Sequence, residues 1–354
     1  MTKRVYHTFE PEALQREGLP ASPEIWEDGR RGEAQAGFFE RWQFDAHLLD
    51  GSLAMITFFT RPMLERSPLL RPGVSITIVP PDGEPLVQAI SLPPEDFSAA
   101  KERCYVRAGE SWVRGDPQWQ YELHVKVGDL AAHLNFTGIV PAWRPGAGKV
   151  YAGNPGQAPD GYFAWLVGIP YGAVEGFLTY HGKIHPVQGS CYHDHRWGNL
   201  VLNEVFNHWY LGRARVGDTT LVFLELTGLA AYGGQKIPAF LVAKGNQPAL
   251  TDCANLSLAE QDFQPDPRGR SYPVGLDGRW NRDGQSLTFT LRDPRLIDSF
   301  SLVDFLPTWK RLIGSVLSNP YYFSFTAGLE LQTNLGDSQT REEGQSLYEF
   351  VLLQ

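Results

Sequence analysis

The sequence predicts an all-β protein of the barrel or sandwich type. Glycine and proline, 36 and 26 of the 354 residues, are scattered along the chain and separate short runs in which apolar and polar residues alternate. That spacing of strands and turn signals is typical of antiparallel sheets. Aromatic residues make up 12% of the chain, and they favour strands and line apolar ligand cavities.

Four segments have the pattern of a β-hairpin, with two alternating strands around a tight turn. The turn signals at Asp50-Gly51, Gly217-Asp218 and Asp283-Gly284 are of the kind that favours two-residue turns. The four segments are RWQFDAHLLDGSLAMITFFTRP, QYELHVKVGDLAAHLNFTGIV, NHWYLGRARVGDTTLVFLELTG and GRWNRDGQSLTFTLRD. Such hairpins occur in both halves of the chain, which predicts that both halves are built from antiparallel strands.

Two segments have helical patterns. PPEDFSAAKERCY combines an acidic start with helix-forming residues. LVDFLPTWKRLIGSVLS places five apolar residues on one face at helical spacing: Trp309, Leu312, Ile313, Val316 and Leu317. We expect that face to pack against a barrel mouth, and the alternative is a lid or a contact with membrane or lipid substrate.

Charge and cysteine content limit the partners. The net charge is -9 and no basic block stands out, so we expect no nucleic-acid partner. Cys104, Cys191 and Cys253 are far apart without a CxxC pair, which fits a reducing compartment. We read no signal peptide at the N-terminus and no membrane span, and we expect a cytoplasmic protein.

The stretch GSCYHDHRWGN, Gly189–Asn199, carries the densest potential chemistry. Side chains alternate faces along a strand, so His193, His195 and Trp197 share one face, which we expect to point toward a cavity. His195 is then predicted to orient a partner or relay protons. Cys191 lies on the face of His193, and a buried structural cysteine is the more common outcome than a nucleophile.

The opposite face of the same stretch carries Tyr192, Asp194 and Arg196. We expect these side chains to point toward the scaffold. Asp194 is predicted to orient a neighbour or to pair with Arg196 or Arg213, and it is the second candidate for a proton donor.

A metal site is an alternative for the two histidines. His193 and His195 at i and i+2 could both be ligands, as in zinc and iron sites. The shell would be completed by Glu225, His185 or His208. Because the spacing is not a specific signature, we predict no metal.

The hairpin around Gly217-Asp218 identifies the preferred proton donor. A two-residue turn there pairs Val216 with Thr219, and counting back places Tyr210 opposite Glu225. Phe223 and Leu221 share the face of Glu225. A carboxylate among apolar side chains is costly to bury ionised, so its pKa should be raised, as suits a general acid. The alternatives are that Glu225 meets an arginine, Arg213 or Arg215, or faces solvent.

The chain resembles the hydroxyneurosporene synthase (carotenoid 1,2-hydratase) family, whose relatives include AttH-like proteins and, more remotely, fungal Diels–Alderases. The resemblance rests on ERWQFDAHLLDGS, FTGIVPAWRPGAG, GSCYHDHRWGN and DPRLIDSF…NPYYFSFTAGLEL, in that order. It implies two lipocalin-like antiparallel β-barrel domains with a few short helices, over residues 1–198 and 199–354. It places the YHDHxWG element near their junction.

The resemblance also implies a reaction. The hydratases add water across a terminal isoprenoid double bond without cofactor or metal. Their important HxW histidine and tryptophan correspond to His195 and Trp197, and a later aromatic and acid correspond best to Phe223 and Glu225. This sequence departs from the pattern in Arg196, where asparagine is common, in Phe223, which replaces tyrosine, and in Glu225, which replaces aspartate.

The predicted mechanism is protonation of an isoprenoid double bond by Glu225, followed by attack of water on the tertiary carbocation. Four groups are assigned to catalysis: Glu225, His195, Trp197 and Asp194. Six are assigned to substrate binding: Tyr192, His193, Tyr210, Phe223, Trp42 and Trp165. Ring faces would stabilise the cation, and His195 or Tyr192 would orient the water.

The expected ligand is an apolar isoprenoid-like small molecule, with no cofactor and no obligate protein partner. Peripheral membrane contact to collect the substrate is an additional expectation. Three alternatives remain at this stage: a terpene cyclase with the same acid, a Diels–Alderase-type pericyclase, and a lipid- or isoprenoid-binding lipocalin without activity.

Overall fold

The computed structural model of the chain describes residues 3–32, 37–67, 69–116, 120–154, 156–302, 320–336 and 338–354. The chain divides into two compact units. The first, called here the N-terminal unit, comprises His7–Tyr151 and Pro159–Val201. The second, the C-terminal unit, comprises Leu202–Gln354 with the segments Met1–Tyr6 and Ala152–Ala158.

The first sheet has 13 strands in the described part of the chain, ordered β5-β4-β3-β2-β13-β12-β10-β9-β8-β7-β6, with β1 on β11 and β11 on β12. The strands are β1 (Arg4–His7), β2 (Phe39–Leu48), β3 (Leu53–Phe59), β4 (Gly73–Val79), β5 (Leu86–Ser91), β6 (Phe97–Ala99), β7 (Cys104–Ala108), β8 (Ser111–Asp116), β9 (Gln120–Val127), β10 (Leu130–Gly138), β11 (Lys149–Gly153), β12 (Gly161–Tyr180) and β13 (Lys183–Gly198).

The second sheet has nine strands among the described residues, ordered β17-β16-β15-β14-β22-β21-β20-β19-β18. The strands are β14 (Phe206–Val216), β15 (Thr219–Gly228), β16 (Lys236–Lys244), β17 (Gln247–Asp252), β18 (Ser257–Pro265), β19 (Ser271–Arg282), β20 (Gln285–Ser301), β21 (Tyr321–Leu335) and β22 (Ser338–Leu352).

Each sheet curls around its own apolar core. Trp42, Phe44 and Tyr121 belong to the core of the N-terminal unit. Tyr210 and Phe223 belong to the core of the C-terminal unit. Alternation along each strand sends one set of side chains inward, and burial of these large rings stabilises the curl. The predicted all-β, lipocalin-like fold is confirmed.

The four predicted hairpins are all present, formed by β2–β3, β9–β10, β14–β15 and β19–β20. The last shows why its turn sequence matters. Arg282 pairs with Gln285 across Asp283 and Gly284, which have φ angles of 50° and 77°. A type I′ turn requires positive φ at both central positions, and aspartate and glycine adopt it at lower cost than most residues.

Of the two predicted helices, the structure contradicts the first and does not describe the second. The helix predicted in PPEDFSAAKERCY is wrong, because that segment forms a 3₁₀ turn at Pro94–Asp96 followed by strands β6 and β7. Phe97 and Cys104 are buried in the core from those strands, and that packing overrides helix propensity. The other helical prediction covers residues 302–318, and all of it after Leu302 lies outside the described residues.

The described helices are short. They are α1 (Pro11–Glu17), α2 (Leu202–Val205) and two further 3₁₀ turns at Ile25–Asp28 and Ala230–Tyr232. Helix α1 was not predicted, although it begins with Pro11 and is followed by Gly18 with φ 66°, which are typical helix boundaries. Among the described residues, none of the helices has the length and apolar character that crossing a bilayer requires.

Candidate active site

Strand β13 presents the two faces that alternation predicts. Its neighbour β2 places Phe44 opposite His193 and Trp42 opposite His195, and these residues face the apolar core. Tyr192 and Asp194 lie on the other face. The inward face is filled by stacked rings, although the alternation pattern predicted that it would border a cavity.

His193 is held on three sides. Its ring stacks on Phe44 with centroids 3.9 Å apart, its Nδ1 lies 2.8 Å from the backbone oxygen of Gln43, and its Nε2 lies 3.0 Å from Oδ2 of Asp28. Tyr121 donates its hydroxyl to the same Asp28 oxygen at 2.7 Å. All these groups are buried, so His193 has a fixed orientation.

His195 belongs to the same buried network. Its ring stacks on Trp42 with centroids 4.6 Å apart, and the centroid of the Trp197 ring also lies 4.6 Å away. Its Nε2 lies 3.1 Å from Oε1 of Glu40, and its Nδ1 lies 3.4 Å from Oδ1 of Asp28. The predicted orienting role of His195 therefore has two carboxyl partners available in this unit.

Asp28 and Glu40 are partners that the sequence analysis missed. Asp28 ends the 3₁₀ turn at Ile25–Asp28, and Glu40 lies at the start of β2 opposite Trp197. Burial alone would raise the pKa of Asp28, but the imidazoles of His193 and His195 outweigh it and hold that pKa below its ordinary value. No local pattern around Asp28 signals this role.

One described group could offer three ligand atoms to a metal. Asp28, Cys104 and His193 place these atoms within 4.8 Å of one another. This set shares only His193 with the set considered from the sequence. Burial raises the pKa of Cys104 well above its ordinary value, and a metal would require its thiolate. Without a metal, the three groups form a buried contact between a thiol, a carboxyl group and an imidazole.

The outward face of β13 is built around Asp194. Arg196 donates Nε and Nη2 to the carboxylate at 2.8–3.1 Å, and the Tyr192 hydroxyl lies 2.8 Å from Oδ2. Trp165 donates Nε1 to that oxygen at 3.3 Å. Of the two predicted partners of Asp194, the arginine is thus Arg196. Since both carboxylate oxygens accept hydrogen bonds, this group fits an orienting role.

In the C-terminal unit the predicted strand pairing is found. Val216 pairs with Thr219 and Tyr210 lies opposite Glu225. Tyr210 and Phe223 point into the core, and the Tyr210 ring stacks on Phe350 with centroids 4.9 Å apart. Glu225 is therefore a carboxyl group on an aromatic wall.

The alternative in which Glu225 meets Arg213 or Arg215 is not found in the described part of the structure. Arg213 bonds Glu349 at 3.1 Å on the opposite face of the strand, and Arg215 bonds the hydroxyl of Thr220 and the backbone oxygen of Gly245. The partner is Lys236, whose Nζ lies 2.8 Å from Oε1 of Glu225. Burial nevertheless raises the pKa of Glu225 above its ordinary value.

A second polar group lies beside Glu225 on the same wall. Tyr210 donates its hydroxyl to Oε1 of Glu260 at 2.8 Å, and Nε2 of His208 lies 3.5 Å from that oxygen. Neither Glu260 nor Lys236 was predicted from the sequence. Lys236 begins the strand after Glu225, and an antiparallel return of that strand is the signal that could have paired them.

The chain is similar to a curated protein of Penicillium thymicola, the quinolone epoxide rearrangement protein penF, at 25% identity over 240 residues. The match covers 62% of this chain and 64% of that protein, so the chain spans just under two thirds of the relative's length. No family model matches the chain. The relative's reaction therefore serves as a basis for a proposal.

Solved structures share the fold over nearly the whole chain. The AttH protein of Nitrosomonas europaea has a TM-score of 0.65 at 13% identity, covering 93% of this chain and 96% of its own. Kievitone hydratase from Nectria haematococca has a TM-score of 0.58 at 11% identity, covering 92% and 93%. CghA has a TM-score of 0.55 at 12% identity, covering 99% and 97%. The chain thus has the fold that these proteins share, as the predicted resemblance to AttH-like proteins implied.

Proposed function

We propose that the protein is an enzyme that protonates a double bond of an isoprenoid-like substrate and adds water to the resulting cation. The observation that carries this proposal is the carboxyl group of Glu225. It is fully buried, its pKa is raised, and its Oε2 is a buried atom without a hydrogen-bond partner in the described residues. A raised pKa is the property that suits a carboxyl group to act as a general acid, which must hold its proton until the substrate takes it.

The surroundings of Glu225 direct its proton. Lys236 donates to Oε1, so in the neutral acid the proton belongs on Oε2. The apolar wall beside it, with Phe223 and the stacked Tyr210–Phe350 pair, suits a hydrocarbon substrate. The faces of such rings stabilise a cation by about 0.5–2 kcal/mol each. No step of this mechanism requires a cofactor.

The HxW residues stay an expectation of the resemblance. Within the N-terminal unit, His195 lies in the buried network of Asp28 and Glu40, with Trp197 beside its ring. Asp194 is the weaker candidate for the proton donor, because both its oxygens already accept hydrogen bonds from Tyr192, Arg196 and Trp165. Glu225 is therefore the acid of the proposal.

A second candidate reaction is supported by the curated relative, whose name records epoxide rearrangement. The same neutral carboxyl group would protonate an epoxide oxygen, and the opened cation would rearrange without added water. The two reactions differ in the atom that receives the proton and in whether water reaches the cation. A carotenoid, the substrate class that the sequence resemblance implies, would be one possible substrate of the hydration reaction.

The three alternative functions require different features of the site. A terpene cyclase would use the same acid with an internal double bond as the nucleophile. A Diels–Alderase-type pericyclase would need a shaped apolar pocket and no acid. An isoprenoid carrier would bind its ligand without converting it. Contact with a membrane surface to collect the substrate is compatible with each of these.

The test is incubation with a panel of linear isoprenoids and their epoxides, with mass spectrometry of the products. A mass gain of one water indicates hydration, and an unchanged mass at a new retention time indicates cyclisation or rearrangement. Glu225→Gln keeps the shape but loses the proton, and turnover should fall by about 10²–10⁴-fold. Glu342→Gln, which changes a carboxyl group bonded to Thr219 and Lys244, is the matched control.

Two results would contradict the proposal. Full turnover by Glu225→Gln would exclude the acid mechanism and favour a pericyclase. Ligand binding with no conversion by the wild-type protein or the variant would favour a carrier.

A further inference from the structure

Three neighbouring strands of the C-terminal unit place polar side chains in one row. Thr227 on β15 pairs with His208 on β14 and with Lys236 on β16. The adjacent row on the same face carries Tyr210 and Glu225, which also oppose each other. Side chains directly opposite across antiparallel strands have Cβ atoms about 4.5–5.5 Å apart, so these groups lie within reach of one another.

This patch contains three buried polar atoms that lack a hydrogen-bond partner among the described residues. They are Nε2 of His208, Oγ1 of Thr227 and Oε2 of Glu225. Buried polar atoms in native proteins are almost always satisfied by protein, water or ligand. Three orphaned atoms on one face therefore indicate a place for an oxygen atom that is not part of the chain.

The tautomer of His208 follows from its neighbour. Its Nδ1 lies 2.7 Å from Oδ1 of Asn207, and an amide oxygen only accepts hydrogen bonds. The proton of a neutral ring therefore sits on Nδ1, which leaves a lone pair on Nε2. Nε2 is also the His208 atom that lacks a hydrogen-bond partner among the described residues.

The carboxylate of Glu260 lies next to that lone pair. Oε1 of Glu260 lies 3.5 Å from Nε2 of His208 and accepts the hydroxyl of Tyr210. Once His208 gains a proton, Glu260 becomes its ion-pair partner. Burial lowers the pKa of His208, with the ammonium of Lys236 acting in the same direction and Glu260 opposing it. The resting ring is then neutral and able to accept a proton.

We propose that His208, Thr227 and Glu225 hold one water molecule, with Nε2 of His208 accepting one of its O–H groups, and that His208 is the general base that takes this proton during addition. This inference rests on the proposed function and adds the second proton-transfer group that hydration needs. Glu260 is the positioning residue that stabilises the imidazolium form.

The step is balanced. The Oε2 proton of Glu225 forms a C–H bond with the π electrons of the substrate, leaving a tertiary carbocation and a Glu225 carboxylate. A lone pair of the bound water forms the C–O bond, and the released water proton goes to Nε2 of His208. Bulk water then returns a proton from His208 to Glu225, and the net change is the addition of one water.

The experiment separates the acid from the base. Wild-type protein, Glu225→Gln and His208→Gln are incubated with the alkene panel in D₂O, and both hydrated product and deuterium in recovered substrate are measured. We expect His208→Gln to lose about 100-fold in hydration but to keep deuterium incorporation, because the cation still forms. Glu225→Gln should lose both. His133→Gln, an exposed histidine of the N-terminal unit, is the control.

A second variant tests Glu260 through the pH profile. Among the described residues, Glu260 and Lys236 are the charged groups that act on His208, and Tyr210 and Glu225 lie in the adjacent row of the same face. Hydration should fall as pH drops through the pKa of His208, and Glu260→Gln should move this fall to lower pH, because Glu260 raises that pKa. NMR of the imidazole nitrogens should show the proton on Nδ1 in the wild-type protein.

The outcomes are distinguishable. Hydration at the wild-type rate by His208→Gln would overturn the assignment of the base, and so would loss of deuterium incorporation in that variant to the level of Glu225→Gln. A ring protonated on Nε2 would overturn the water site. Wild-type protein that hydrates no member of the panel would overturn the proposed function itself, and this inference with it.

Discussion

Nζ of Lys236 lies 2.8 Å from Oε1 of Glu225, yet the two side chains differ in exposure: half of the lysine side chain is exposed and none of the glutamate is. Solvent screens the ammonium, so its attraction only partly offsets the cost of burying the carboxylate. Lys236 therefore sets how far the pKa of Glu225 rises.

Removing the ammonium tests that relationship. In Lys236→Met the pKa of Glu225 should rise further, because burial then acts without its main opponent. A general acid is lost as pH rises through its pKa, so the alkaline fall of kcat/KM should move to higher pH. The measurement is a pH–rate profile for the best substrate of the panel.

Lys244→Met is the matched control for this profile. Lys244 is not among the hydrogen-bond partners of Glu225 in the described residues. It donates to Thr340 and Glu342 instead. Its profile should coincide with that of the wild-type protein. An alkaline limb that moves to lower pH in Lys236→Met would show that the lysine does not oppose the burial of Glu225.

Glu225→Gln should cost no stability above neutral pH. A carboxyl group whose pKa is raised in the folded state contributes stability below its unfolded pKa, and this is lost as pH rises through the folded pKa. The amide never ionises, so relative to the wild-type protein the variant should gain stability as pH rises. Thermal unfolding of both proteins at pH 5 and pH 8 measures the change.

The expected gain between those two pH values is about 1 kcal/mol in the difference of unfolding free energies, a typical size for one substitution. A variant that loses stability as pH rises would show that the carboxylate is the stable form in the folded protein. That result would also remove the basis for its role as an acid.

Sequence predicted well what depends on strand geometry. The two faces of β13 and the pairing of Tyr210 with Glu225 follow from alternation and from a two-residue turn, which are local rules. The partners of these residues come from distant segments. Asp28 reaches His193 from a 3₁₀ turn 165 positions away, and no local rule encodes such a contact.

Local rules also failed where packing decides the structure. The segment around Phe97 has good helix formers, but its apolar residues are needed in the curled sheet. Lys236 could have been found by continuing the antiparallel pairing from β15 to the next strand, since only a short turn separates them. Glu260 could not, because β18 is at the far end of the sheet order.

Asp28→Asn should destabilise the N-terminal unit. The carboxylate is fully buried between His193 and His195, and breaking such a pair by removing one charge typically costs about 3–5 kcal/mol. The folded pKa of Asp28 is depressed, so its contribution is present above the unfolded pKa and is lost as pH falls through the folded pKa. The difference in unfolding free energy between the variant and the wild-type protein should therefore become smaller in acid.

Urea unfolding at pH 7 and at the lowest pH where the protein stays folded measures this difference. Asp96→Asn changes an exposed aspartate and should leave both values unchanged. A difference that stays constant or grows in acid would mean that the carboxylate of Asp28 gains nothing from the two imidazoles.

Gly168 supports His193 from the neighbouring strand. It lies at an irregularity of the β12–β13 register, between Val167 opposite Asp194 and Ile169 opposite His193. A Cβ atom there would lie 2.5 Å from Cδ2 of His193 and 2.8 Å from the hydroxyl oxygen of Tyr121. Both distances are shorter than real Cβ contacts, and both neighbours are buried and hydrogen-bonded to Asp28, so neither can move cheaply.

Gly168→Ala should therefore lower the unfolding free energy by about 1–3 kcal/mol, the usual cost of overpacking a filled core. It should also shift the imidazole NMR signals of His193, since the ring must leave its place between Phe44 and Asp28. Gly328→Ala is the matched control, because a Cβ there meets its nearest described atom at 3.6 Å, an ordinary contact. The contrary result would be two equally stable variants with the His193 signals unchanged. That result would mean that the backbone shifts at the register irregularity to make room for the methyl group, and that Gly168 is not needed to position His193.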